Sequence, residues 1–558
     1  MGIGGHLRIG ALVREVVDST LVTDAVEAVR AVRVLAGSGM VDLTRPQDIA
    51  TTLRVNRLNG PAAALVRKAV TEHPDAMAMT DERGSLSYRE LDQRSNAVAA
   101  GLRAMGIESG ASVGMLARDH RGLVTTVVAA GKAGLDLVML NTGFGGAQLV
   151  DVARREDVSA LLYDSEFDGL LAGLDDDLPR IITWLDDGET APAGARMLDD
   201  LIAESAQAGP VPDPTSPARI TVLTSGTTGL PKGAPRAKVS PLGSAMILDR
   251  LPIPRASSAV IATPMFHGTG FALWLVSAAL GNNVVTMRRF DAEKTLAAIA
   301  ENRAELLVAV PTMLSRMLDL GDDVIGRYDL SSLTGIIVAG SSLTPELSDR
   351  VQDAFGEVLY NLYGSTEVSV ASVATPAELR RAPGTAGRAP VTARIRLVDD
   401  GEAVTEPGRR GEVFVRCAAA FKGYTDGTTK SMRDGYMSTG DVGHFDDEGL
   451  LFIDGRADDM IVSGGENVYP QEVEHLLAAH GDVADVAVLG VPDPEYGQRL
   501  RAVLVLHEGA SLDEDGVRAH VKSQLARHKV PRDVVLVPDL PRNPTGKVVR
   551  KALLEMDV

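Results

Sequence analysis

TVLTSGTTGLPKG, residues 221–233, is the stretch on which the reading of this chain turns. An apolar, β-prone run, Ile220–Leu223, passes directly into Thr224, Ser225, Gly226, Thr227, Thr228 and Gly229, and then reaches Lys232. A strand that ends in such a loop offers free backbone N–H groups, small hydroxyl donors and one cation. That combination suits a polyphosphate. Glycine lets the backbone come close to a ligand, and Ser/Thr side chains add donors without bulk. No Gly-Lys-Ser/Thr follows at the spacing of a Walker A loop. By itself such a loop is more often an ordinary turn, so its meaning rests on companions elsewhere in the chain.

Outward from this loop the pattern is α/β. Upstream, residues 86–107 read as a short strand and an amphipathic helix, followed by SVGMLA (112–117), VVAAGKAGLDLVML (127–140) and ALLYD (160–164). Downstream come AVIATPMFHGTGF (259–271), NVVTMRRF (283–290), ELLVAVPTML (305–314), GIIVAGSSL (335–343) and VLYNLYGSTEV (358–368). Alternating strands and helices predict mostly parallel, covered sheets, with ligands at the C-terminal ends of the strands. From Ala386 shorter strands with Gly-rich turns predict a β-rich subdomain. After Arg456 the pattern is a compact α+β unit: helix 470–480, strands 483–491 and 502–506, helix 515–526 and strand 533–537. Residues 175–217, rich in Asp, Pro, Gly and Ala, read as a surface connection or subdomain edge. Residues 1–60 read as an amphipathic helix (13–35) and a connecting segment that dock on the main body. The expected division is therefore 1–60, a helical extension; 61–457, a large domain; and 458–558, a small C-terminal domain.

Composition narrows the class. The 558 residues suffice for a large core and more than one domain. No apolar run reaches the roughly 18 residues of a membrane span. Lys132 and Asp136 interrupt Leu123–Leu140, and Arg8, Arg14 and Glu15 break any secretory h-region. The single cysteine, Cys417, excludes an intrachain disulfide and a cysteine-built zinc site. It reads as core filling. A net charge of −19 argues against nucleic-acid binding, so a phosphate-rich ligand must be met by local cations. A cytoplasmic protein is expected; Arg8 and Arg14 are compatible with peripheral membrane association without requiring it. Oligomeric state is not legible.

Four later stretches supply the companions: YGSTEV (363–368), STGDVGHF (438–445), GRADDMIVSGGENVYPQEVE (455–474) and PRNPTGKVVRK (541–551). With TSGTTGLPKG, in this order and spacing, they closely resemble the core motifs of adenylate-forming enzymes, in the AMP-forming acyl-CoA synthetase branch. The resemblance runs from about residue 60 to residue 551. The substrates it implies are ATP with Mg²⁺, a carboxylic acid and coenzyme A.

The resemblance implies a role for each motif residue. Thr224–Gly229 and Lys232 would cradle the β- and γ-phosphates. Tyr363 would lie along the adenine ring beside Gly364, with Gly340, Ser341 and Ser342 lining the adenine pocket. Thr366 would touch the α-phosphate, and Glu367 would hold Mg²⁺ as a hard oxygen ligand. Asp441 would accept hydrogen bonds from the ribose hydroxyls, and Arg456 would reach ribose or phosphate. Lys547, presented by the turn 543–546, would bind carboxylate and α-phosphate as adenylation proceeds, a task suited to a compact charge on a flexible stem. His267 would sit beside the acyl carboxylate; it need not be a base, because the attacking acid is already ionised. Asp458 matches the hinge about which the small domain swings between half-reactions. Gly464 would lie along the pantetheine tunnel. One departure stands out: Ala237-Lys238 replaces the Thr/Ser-His pair of many relatives, and Pro235 interrupts the expected helix start there.

The acid is the least legible part. Few aromatics accompany Phe266, Phe271 and Trp274 in the expected acyl pocket, which points to a medium- to long-chain fatty acid, with branched or sterol-derived acids still open. Two rivals remain: a fatty acyl-AMP ligase that loads a carrier protein, and an inactive nucleotide or acyl-CoA sensor. The sensor should have lost Lys547 or Glu367, and both are present. Hydrolase readings fail, because there is no Gly-x-Ser-x-Gly elbow and no HExxH helix.

Overall fold

The computed structural model describes residues 20–192, 194–224, 231–235, 243–463, 466–493, 497–543 and 546–556. Two large sheets form its centre. One runs Ser369–Ala374, Leu359–Ser365, Gly335–Val338, Leu306–Ala309, Ser258–Ile261, Asn283–Val285, Met77–Asp81, Gly84–Ser87 in spatial order. Its six inner strands are parallel and its two edge strands antiparallel. The other runs Arg196–Met197, Arg180–Trp184, Val158–Asp164, Ser112–Leu116, Asp136–Met139, Ile220–Leu223, Gly233–Pro235, parallel except for the last pair. Strands such as Leu306–Ala309, Gly335–Val338 and Asp136–Met139 are buried at every residue, as expected where helices cover both faces.

This arrangement positions the site. The residues after Ile220–Leu223, Ser258–Ile261, Leu306–Ala309, Gly335–Val338 and Leu359–Ser365 all leave the C-terminal ends of parallel strands. Thr224, His267, Thr312, Gly340–Ser342 and Thr366–Glu367 are thereby delivered to one rim, where α/β folds place their ligands.

The β-rich expectation from Ala386 onward is met by a seven-stranded antiparallel sheet that includes Gly411–Cys417, Tyr436–Phe445 and Leu451–Arg456. Beyond it lies a five-stranded sheet with helices Pro470–Ala478 and Glu514–Gln524, close to the predicted α+β unit. Cys417 packs against the core, half-buried, and its Sγ reaches the Val368 carbonyl at 2.9 Å.

Two expectations need correction. Residues 175–217 are more than a connection: Arg180–Trp184 is a buried sheet strand, and Leu198–Glu204 is a helix. Its five residues alone offered too short an apolar signal among Asp and Pro. The segment after the first helix is also helical. Thr20–Gly37 is followed by Pro46–Glu72, which breaks at Gly60 (φ 77°, ψ 173°) just before Pro61. Beyond the break Ala62, Ala63, Ala64, Val66 and Ala69 are buried. Small residues there let the helix approach Arg121–Ala133 closely: a Cβ on Gly131 would lie 2.9 Å from the Ala63 Cβ. Residues 1–19 lie outside the described part. Among the described residues no helix is long and apolar enough to cross a membrane.

Candidate active site

Thr224, Lys232, His267, Gly340, Ser341, Ser342, Tyr363, Gly364, Thr366, Glu367, Asp441, Arg456, Asp458 and Lys547 line one cleft of about 2430 Å³. That exceeds the ~300–1,000 Å³ of a single small-ligand pocket, so the cleft has room for more than one substrate. The sequence-predicted residues are thus brought together, apart from those outside the described residues. Ser225, Gly226, Thr227, Thr228, Gly229 and Gly464 fall in that group, as does the Ala237-Lys238 departure.

Glu367 is buried, and its carboxylate accepts from the Tyr424 hydroxyl at 2.5 Å and from Ser365 Oγ at 2.7 Å. Burial alone would raise its pKa. The two hydrogen bonds and the charge of Lys430 outweigh it and hold the carboxyl below its usual range. An ionised carboxylate therefore faces the cleft. Among the described residues no group of three or more His, Cys, Asp or Glu side chains could hold a metal by itself. One hard oxygen ligand fits magnesium that shares its coordination with phosphates and water, and does not fit an all-protein cage.

Asp441 and Tyr363 form the next pair. The Tyr363 hydroxyl donates to Asp441 Oδ2 at 2.5 Å, and Arg456 Nη1 lies 3.4 Å from Asp441 Oδ1. Burial pushes the Asp441 carboxyl up, opposed by Tyr363, Arg456 and Lys547. Arg456 also grips Asp458 through two hydrogen bonds of 2.9 and 3.0 Å.

Gly364 shows why this motif admits no side chain at its second position. The strand pair bulges between Tyr363 and Gly364, and a Cβ on Gly364 would lie 1.8 Å from the Ser369 carbonyl oxygen. Gly364→Ala is expected to destabilise the fold by about 3 kcal/mol, an overpacking cost against rigid backbone. Denaturant unfolding checks this, and wild-type stability in the variant would contradict it.

Lys547 projects into the same cleft. Its carrier turn is closed by Gly546 N–H to the Asn543 carbonyl at 2.8 Å and by Lys547 N–H to Asn543 Oδ1 at 3.0 Å. Arg542 holds the turn by donating to the Gly546 carbonyl and, with two 2.7 Å bonds, to Asp485. Gly546 has φ 76° and seats against Thr312, which follows strand Leu306–Ala309. The Lys547 side chain is open to the cleft yet ringed by protein. That surrounding protein lowers its pKa; Asp441 and Glu367 pull the other way, and Arg456 adds to the lowering. His267 feels Lys547 too. Burial first, and the nearby ammonium second, bring its pKa down to about 3, so the imidazole is neutral near pH 7.

Sequence reasoning missed the partners of Lys232. Lys232 Nζ donates to Thr428 Oγ1 at 2.8 Å, lies 3.2 Å from Asp426 and sits 5.2 Å from the Tyr424 ring centre. Tyr424 therefore joins Lys232 to Glu367. The turn YTDGT (424–428) was a visible signal, but nothing in it shows which distant groups it meets. Thr439 was missed likewise; it lies 3.3 Å from the Tyr363 hydroxyl.

The cleft gathers Glu367, Asp441 and Lys547 beside the ends of parallel strands, an arrangement that suits an adenylate-forming enzyme. Comparison with known proteins agrees. Residues 66–425 match the AMP-binding enzyme family and residues 472–547 the AMP-binding enzyme C-terminal domain, so the chain belongs to the AMP-binding enzyme family. It is an acid–thiol ligase of that family. Indoleacetate–CoA ligase of Aromatoleum aromaticum is 33% identical over 483 residues, covering 85% of this chain and 94% of that one. The 3-[(3aS,4S,7aS)-7a-methyl-1,5-dioxo-octahydro-1H-inden-4-yl]propanoyl:CoA ligase of Rhodococcus jostii is 33% identical over 516 residues, covering 88% and 97%. Among solved structures, o-succinylbenzoate CoA synthetase of Bacillus subtilis with its acyl-adenylate superposes with TM-score 0.77 at 27% identity, covering 88% and 98%. The same enzyme has been solved with ATP and magnesium, at TM-score 0.75 and 28% identity over the same shares.

Proposed function

We propose that this enzyme activates an apolar carboxylic acid with Mg-ATP and passes the acyl group to coenzyme A. The observation that carries this is the convergence of Lys547 with Asp441, Glu367 and His267 at one rim. In the first step a carboxylate oxygen bonds to the α-phosphorus as the bond to pyrophosphate breaks. In the second the thiol displaces AMP from the acyl carbon. Two anions must meet in the first step, so neutralisation and positioning dominate the barrier.

The residue roles follow. The loop from Thr224 and Lys232 holds the β- and γ-phosphates, with Lys232 exchanging Asp426 for phosphate oxygen. Glu367 is the carboxylate that would hold the magnesium brought in with ATP, and the ion supplies charge neutralisation on the phosphates. Thr366 meets the α-phosphate, while Gly340–Ser342 and Tyr363 frame the adenine. Asp441, oriented by Tyr363, accepts from the ribose, and Arg456 reaches ribose or phosphate. Lys547 bridges the acid and the α-phosphate. We place the division between the large and small domains at Asp458; it falls between the two family matches, which end at residue 425 and resume at 472. A cytoplasmic setting, where ATP and coenzyme A are available, belongs to the same reading.

For the acid, the cleft wall includes Leu65, Ile247, Leu275 and Val276. This aliphatic lining supports a medium- to long-chain fatty acid. A second reading, a ring acid on a short arm, is supported by the named substrates of the relatives and by Phe271 in the same wall. The test is a graded panel of fatty, aryl and polycyclic acids with Mg-ATP, each with and without coenzyme A. AMP release and acyl-CoA that both require coenzyme A support the ligase, and the best acid fixes the class. Acyl-AMP that accumulates and ignores coenzyme A would overturn it in favour of carrier loading.

A further inference from the structure

The turn between strand Ser258–Ile261 and helix Gly268–Ala279 carries two polar atoms without partners. Thr263 is 4% exposed, and among the described residues its Oγ1 has no hydrogen-bond partner. His267 Nε2 is buried and unpartnered in the same way. Both residues line the cleft. A buried hydroxyl left unpaired costs about 1–3 kcal/mol, so one on the wall of a cleft is a candidate partner for a bound ligand.

This turn is held from two sides. Asp119, 5% exposed, accepts from the Met265 N–H at 2.9 Å. Gly270 closes the other side: a Cβ there would lie 2.8 Å from the Thr263 carbonyl and 2.7 Å from the Pro264 carbonyl. The His267 N–H to Pro264 carbonyl bond, 3.2 Å, ties the turn internally. Asp119 is itself fixed by its neighbours. Arg118 N–H donates to Asp164 at 2.9 Å, and His120 pairs with Asp164 at 2.7 Å while its Nδ1 accepts from the Gly122 N–H at 2.9 Å. Burial pushes the Asp119 carboxyl up to about 7 against the pull of Met265 N–H and Arg118. Either protonation state leaves an oxygen to accept from Met265.

We propose that Thr263 is a further acid-binding residue and that Asp119 is the positioning residue that aims it. Thr263 Oγ1–H and His267 Nε2–H form a paired seat for one carboxylate oxygen of the acid, which leaves the other oxygen free to attack the α-phosphorus. The inference rests on the acid-activation reading above.

The experiment measures steady-state kinetics of the full-length enzyme with Mg-ATP, coenzyme A and its best acid, after acid-dependent pyrophosphate release by the wild type has established that reading. Thr263→Val should raise the acid KM about tenfold, the scale of one lost hydrogen bond to a charged group, with the ATP KM unchanged. Thr263→Ser should restore the acid KM. Asp119→Leu should raise the acid KM and lower kcat, and Asp119→Asn, which keeps an acceptor for Met265, should restore both. Thermal unfolding of each variant separates misfolding from mispositioning. An unchanged acid KM in a folded Thr263→Val enzyme overturns the inference while leaving the parent reading intact. An equal rise in the KM of ATP, or failure of both conservative variants to restore function, also overturns it.

Discussion

Lys547→Ala is expected to release pyrophosphate in response to acid about a thousandfold more slowly than the wild type, the scale of losing a preorganised charge at a phosphoryl-transfer centre. The reason is geometric. Gly546, braced by Arg542 on Asp485 and seated on Thr312, delivers the ammonium of the next residue to the rim that already holds Asp441 and Glu367. No other described lysine shares that set of neighbours. Folding should be spared, because the side chain is open to the cleft. Thioester formation from supplied acyl-AMP and coenzyme A should stay within a few-fold of wild type, since in the proposed mechanism the charge acts on the phosphate before pyrophosphate leaves. Rapid-quench assays of the two half-reactions read both numbers. Equal loss in both would sink the assignment of Lys547 to adenylation alone.

Asp458→Pro should show the converse pattern. In this structure Lys547 occupies the cleft, an arrangement suited to the first half-reaction, and thioester formation needs that lysine replaced by a path for the thiol. Asp458 follows the last strand of the antiparallel sheet, Leu451–Arg456, and its carboxylate, about half exposed, is held by Arg456. Such an ion pair contributes little, so it does not oppose rotation strongly. Proline fixes φ and resists the backbone change at a cost of about 3 kcal/mol, which corresponds to about a hundredfold slower thioester formation. Adenylation should remain within a few-fold. A variant with normal thioester rates would refute the hinge.

What could be read without the structure was local. The strand-end loops, the five motif stretches and the lysine-bearing turn are short patterns whose residue types follow from phosphate and carboxylate chemistry. The α+β unit beyond Arg456 was legible because its periodicities are long and uninterrupted. What escaped depends on distant pairing. Tyr424 meets Glu367 across 57 positions and Lys232 across the cleft, and no local rule reports that. The strand Arg180–Trp184 is too brief to stand out from the Asp- and Pro-rich chain around it. The helix Pro46–Glu72 was hidden by Gly60-Pro61, a pair that breaks its pattern while setting the angle at which the Ala-rich half packs. The identity of the acid rests on the shape of a pocket wall drawn from several helices, which composition describes only as apolar.

Reversible formation of an acyl-adenylate is read out by ATP–pyrophosphate exchange. Labelled pyrophosphate should enter ATP only when the acid and magnesium are both present, and coenzyme A should not be required. Label entering ATP without acid, or no exchange with an acid that the enzyme turns over, would contradict the account.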